Sequence, residues 1–186
     1  MRKESYEDRL RSDLGLELQS VSGEDALSGS GLRWRPVRHR ACRTSSSEEG
    51  LEVQRLVEQL LGRHFTDRAG QSRLLDLEDI LVVAPYNAQV HLLKTMLPDG
   101  TQVGTVDKFQ GRQAPVVICS MTSSSGEEIP RGMEFLLSQN RLNVAVSRAQ
   151  ALTVMVASPE LLTLTCRTVE QIRLVNGLCR YVEMAT

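Results

Sequence analysis

Three short, almost wholly apolar runs constrain this chain more than any other feature: Ile80 to Ala84 (ILVVA), Val116 to Met121 (VVICSM) and Ala151 to Ala157 (ALTVMVA). Runs of this length without polar alternation suit strands buried on both faces of a parallel sheet. Between the first two, Pro85 stops the strand, and Val90, Leu93 and Leu97 then fall on one side of a helix. Upstream, a strand over 32–39 leads to a helix capped at Ser46. Glu49 completes an S-x-x-E box there, and Val53, Leu56, Val57, Leu60 and Leu61 face inward. A closing helix from about Val169 carries Ile172, Val175, Leu178 and Cys179 inward. Strands alternating with helices make the fold class α/β, a three-layer sandwich with a mainly parallel sheet.

Chemistry concentrates in two segments. Laid on a helix, residues 140–150 (NRLNVAVSRAQ) place Leu142, Ala145, Val146 and Ala149 on one buried stripe, with Arg141 and Arg148 nearly in register along its edge. Arginine stays charged and offers a planar fork of donors that matches phosphate oxygens, although arginines on a helix are more often simply solvated. The second segment, Val103 to Met121 (VGTVDKFQGRQAPVVICSM), reads as a short strand ending at Thr105, a polar turn containing Gly111, and a buried strand. Thr105, Asp107, Lys108, Gln110 and Gln113 all fall in that crossover, and open α/β sheets place phosphate and ribose sites where strands end.

In this order and spacing, APYNAQV, TVDKFQG and RLNVAVSRA resemble motifs IV, V and VI of superfamily 1 helicases, in the Upf-like and Dna-two-like branch. GLRWRPVRH and SSSEEGLEV resemble the first strand and helix of the same domain, so the likeness covers most of the chain. The stretch RGMEFLLSQNRLNVAVSRAQ and the helix after it are most similar to bacterial proteins in which a RecB-like nuclease region precedes the helicase region. The resemblance implies a RecA-like fold, the second motor domain of an ATP-dependent DNA helicase, without its phosphate loop. Residues 31–186 would form that domain, and residues 1–30 a partly ordered segment that connects the two motor domains in relatives. ATP with Mg2+ would be shared with a missing first RecA-like domain, since GxxxxGK[ST] and an acidic pair closing a buried strand are absent from all 186 residues.

By the same resemblance, Arg148 is the catalytic arginine finger. Gly111, Gln113, Arg141 and Arg148 face the nucleotide, and Gln113 stands where relatives usually carry a glutamate. Pro85, Tyr86, Asn87 and Thr105 contact a single strand, DNA first. The partners implied are single-stranded nucleic acid, the first RecA-like domain and a RecB-like nuclease domain. A non-catalytic nucleic-acid or protein-interaction module is the alternative reading. An unrelated nucleotide-binding enzyme is a third, hinted at by Gly29 and Gly31.

Composition is compatible with these readings. The formal net charge is −1, so nucleic-acid contact must be local. Arg33, Arg35, Arg38, Arg40 and Arg43 form either a phosphate-binding patch or the charged guard of an edge strand. Cys42, Cys119, Cys166 and Cys179 are scattered without metal-ligand spacing, so no metal site is expected, and His39, His64 and His91 stand apart from one another and from the carboxylates. The stretch from Ser22 to Gly31 reads as a flexible loop. No window approaches a membrane span, and no targeting segment is evident, so a cytoplasmic location is expected.

Overall fold

The computed structural model describes residues 15–109, 111–138, 143 and 146–185. Its strands are β1 (Ser20–Val21), β2 (Gly31–Pro36), β3 (His64–Thr66), β4 (Ser72–Leu74), β5 (Ile80–Val83), β6 (Gln102–Gly104), β7 (Ala114–Ser120) and β8 (Ala149–Ala157). Its helices are α1 (Ser47–Leu60), α2 (Asn87–Met96), α3 (Met133–Leu136) and α4 (Val169–Met184). Among the described residues, five strands form a parallel sheet in the order β2-β8-β7-β5-β6, while β1, β3 and β4 form a small antiparallel sheet.

The three apolar runs become the three inner strands, buried throughout except for the first two residues of β8. Alternation along β8 sends Val154 and Val156 to one face and Met155 and Ala157 to the other. On the first face, Val53, Leu56, Val57 and Leu60 of α1 and Leu93 of α2 close over Ile80, Val82 and Ile118. On the second, Val175, Leu178 and Tyr181 of α4 cover Met155, Ala157 and Leu161. Each such side chain contributes about 1.5–3 kcal/mol when fully buried. Two helical layers on a parallel sheet are the α/β architecture that the pattern of runs demands.

Four local expectations need correction. Ser46 caps α1 by accepting from the Glu49 amide (3.2 Å), but the Glu49 side chain is drawn into the interior instead of returning to Ser46, whose own amide donates to Gln89 Oε1 (2.7 Å). Arg148 and Ala149 are not helical. The Ser147 amide makes the final helical-type bond to the Asn143 carbonyl (2.8 Å), and the Ala114 amide then claims the Arg148 carbonyl (2.9 Å), pulling the chain into the sheet ladder. Ile172 points outward at 47% exposure and Cys179 is half-buried, because the stripe that meets the sheet runs Val175, Leu178, Tyr181.

The stretch from Ser22 to Gly31, expected as a flexible loop, is fastened. Leu27 is fully buried, and Asp25 pairs with Arg63 (2.6 Å). Arg33, itself buried, donates to the carbonyls of Ala26 (2.6 Å), Ser28 (2.6 Å), Ser30 (3.3 Å) and Leu32 (2.9 Å).

Candidate functional site

All five parallel strands point one way, so the sheet has a carboxyl end and an amino end, and the candidate residues divide between them. At the carboxyl end, Val83 of β5 stands opposite Gly104 of β6, which sets Pro85 and Thr105 leaving adjacent strands at nearly the same level. A Cβ at residue 104 would meet Lys108 at 2.5 Å, so glycine permits the tight turn that follows Thr105. Pro85, Tyr86, Asn87 and Thr105 together line a groove of about 490 Å³, with Thr44, Asp107, Arg131 and Phe135 completing its walls.

Tyr86 is the N-cap residue of α2 but makes no side-chain cap bond. Among the described residues no side chain caps the first-turn amides of α2, and Asn87 and Ala88 line the groove, a disposition suited to a phosphate. The Tyr86 ring lies 5.5 Å from that of Phe135, tilted by 30°, and the Arg131 guanidinium lies 4.7 Å from the Phe135 centroid. Burial pushes the Tyr86 phenol above its ordinary pKa, and its hydroxyl is buried without a hydrogen bond among the described residues. The neighbouring Ser123 hydroxyl donates instead to the Arg43 carbonyl (2.8 Å). Tyr86 is therefore part of the packing under the groove, while Phe135 is half-exposed within it.

A buried polar cluster braces the groove from below. Glu49 accepts from the Ser120 hydroxyl (2.6 Å) and the Thr122 amide (2.9 Å), and it pairs with His39 Nε2 (2.9 Å). The other ring nitrogen of His39 meets Ser124 Oγ (2.7 Å), which also receives the Cys42 amide (2.9 Å). Gln89 Nε2 donates to Ser120 (3.0 Å) and to the Ser46 carbonyl (3.1 Å). Serine, histidine and glutamate in sequence contact suggest a nucleophilic triad, but His39, Glu49 and Ser124 are at most 5% exposed, so no substrate reaches them. Their effect is positional. They join α1, α2, the turn at residues 39–42 and the end of β7, and they hold Thr122 at φ 75°. His39 thus does not stand apart from the carboxylates, as its sequence position suggested.

At the amino end, Gln113, Ala149, Gln150, Ala151 and Gly31 line a second cavity of about 820 Å³, walled by the small antiparallel sheet through Phe65 and Arg73. Arg148 immediately precedes this floor. It is half-buried, and its Nε is buried with no hydrogen-bond partner among the described residues. Gly111 takes φ +82° in open surroundings, a conformation glycine adopts freely. Arg141 and Gln110 lie outside the described residues. The crossover from Thr105 to Gln113 therefore runs the height of the sheet, and it separates the candidates at the carboxyl end from those at the amino end. Lys108 within it donates to the Val103 carbonyl (3.1 Å).

Arg131 and Phe135 were not singled out from the sequence. Their one signal was a cation four residues before an aromatic, beside a polar excursion.

Comparison with known proteins identifies the family. A family model described as an AAA domain matches residues 34–160. The chain is 42% identical over 77 residues to the DNA polymerase alpha-associated DNA helicase A of Schizosaccharomyces pombe, covering 40% of this chain and 11% of that protein. It is 30% identical over 126 residues to the putative helicase mov-10-B.1 of Danio rerio, covering 60% of this chain and 12% of that protein. It is 27% identical over 159 residues to the RNA helicase Mov10l1 of Mus musculus, covering 82% and 12%. The aligned stretches thus span only 11–12% of these relatives. The chain belongs to the AAA domain family and is a helicase-type domain of superfamily 1.

Proposed function

We propose, from the premise that the chain is a helicase-type AAA domain, that it is the second RecA-like motor domain of an ATP-dependent nucleic-acid translocase. It supplies an arginine finger and part of a single-strand track. The observation that carries this reading is the convergence of Pro85, Tyr86 and Asn87 with Thr105, from separate segments, on one groove at the carboxyl end of the sheet.

Uncapped helix amides, Thr105 and Asn87 offer phosphate contacts, which position a strand without reading its sequence. The ligand is therefore single-stranded nucleic acid of no fixed sequence, and DNA is the first to test. At the other end, Arg148 meets the triphosphate of ATP with Mg2+ held by a companion RecA-like domain, and Gln113 and Gly111 lie along the nucleotide. What supports this role for Arg148 is its place directly before the cavity-lining Ala149 and Gln150, with an Nε that has no hydrogen-bond partner among the described residues. A guanidinium brought to a transferring γ-phosphate stabilises the charge that develops there. The tail segment RGMEFLLSQNRLNVAVSRAQ supports a parent protein that also carries a RecB-like nuclease region.

The test joins the chain to the first RecA-like domain of a superfamily 1 helicase and measures ATP turnover with and without oligodeoxythymidylate or oligouridylate. Strand-stimulated turnover is expected, and Arg148→Ala should lower it on the order of 10³-fold while strand binding persists. Strand binding without any stimulated turnover would favour a non-catalytic binding module. Turnover indifferent to Arg148→Ala would remove the finger assignment.

A further inference from the structure

We propose that Phe135 is a base-stacking platform in the strand groove and that Arg131 covers it until a nucleobase arrives. The proposal rests on the strand-track reading and adds a contact to the bases themselves. Three observations carry it.

First, the segment already satisfies its apolar demand through Leu136 and Leu137, which are 3% and 0% exposed. Phe135, immediately before them, is half-exposed instead and lines the groove with Thr105 and Asn87. One part of its ring packs against the core on the second face of the sheet, and another part faces the groove. Second, the ring is supported, since Tyr86 packs 5.5 Å from it and is itself buried. A platform so backed loses little freedom when a base settles on it. Third, its companion is a planar cation from an exposed residue, with the Arg131 guanidinium 4.7 Å from the ring centroid. A guanidinium plane and a base plane compete for the same kind of π surface.

The magnitudes set the direction of exchange. An exposed cation–π contact favours the covered state by only about two- to five-fold. A base stacked on an aromatic side chain is worth about five- to a hundred-fold in binding. A base therefore displaces Arg131, and the released guanidinium lies within the same groove as the phosphates that accompany the base. Every base has a π face, so the contact grips any sequence.

The full chain is titrated with a fluorescent oligodeoxythymidylate and with an abasic oligomer of equal length and charge. Phe135→Leu, which keeps apolar volume and removes the π face, should weaken binding of the base-bearing strand on the order of ten-fold and leave the abasic strand unaffected. Phe135→Tyr should restore binding, and Arg131→Ala should weaken the abasic strand more than the base-bearing one, for which uncovering the ring offsets about two- to five-fold of the lost phosphate contact. With the unaltered protein, 2-aminopurine in the strand should be quenched on binding, a readout that needs no variant to fold. Equal losses on both strands with Phe135→Leu, or no loss and no quenching, would overturn the stacking role while leaving the strand track standing. Failure of the unaltered chain to bind either strand would remove the track and this proposal together.

Discussion

Asp79 illustrates how a carboxylate nearly out of water stays ionised. Burial alone raises its pKa, but both Nη groups of Arg73 reach its oxygens at 2.5 Å and the Asp76 amide donates at 3.0 Å, so the balance falls below the ordinary carboxylate value. A folded-state pKa below the unfolded one contributes stability above about pH 4, and that stability is lost as pH falls through the folded value. Asp79→Asn is thus expected to lower stability at neutral pH by about 1 kcal/mol, discounted because Arg73 is largely exposed. In urea melts the difference from the unaltered protein should close as pH drops below about 4. Pairing at this scale was only partly legible in the sequence. The Asp76 and Asp79 carboxylates sit in one local turn, whereas the His39–Glu49 contact depends on a chain reversal in which Ala41 takes φ 57°, a conformation that no residue type there announces.

Among elements, β2 and the loop after it resolve an ambiguity in the arginine cluster. Arg33, inside the strand, is buried against four backbone carbonyls, and burial lowers its pKa. Arg38, Arg40 and Arg43, past the strand end, are exposed in the loop that carries Thr44 into the groove wall. Replacing those three by glutamine should reduce the slope of log binding against log salt by about one to two, without moving the melting temperature. Arg33→Gln should do the reverse, lowering stability and sparing the slope.

The inner strands were readable because burial on both faces leaves no polar alternation to confuse them. The misread element was the start of β8, where a helical apolar spacing continues into residues that the sheet ladder captures. The groove was half readable. Its motif residues lie next to strand ends, but Thr44, Arg131 and Phe135 reach it from parts of the chain whose convergence only the tertiary fold defines.

For the whole molecule, the described domain extends beyond the matched residues 34–160, because α4 seals the second face of the sheet. Ending the chain after Arg167 would uncover Met155, Ala157 and Leu161 and discard Val175, Leu178 and Tyr181. The expected cost is about 5 kcal/mol or more, enough to abolish a cooperative melt followed by circular dichroism. No helix among the described residues is long and apolar enough to cross a membrane.

The two cavities occupy opposite tips of one continuous ladder, since β8 runs nine residues from the Arg148 side to the edge where the groove lies. At a rise near 3.3 Å per residue that is a spar of about 26 Å, packed from above and below. Such a spar resists bending. A push applied at one tip would be felt at the other as a swing of the entire body, in the way an oar blade answers its handle.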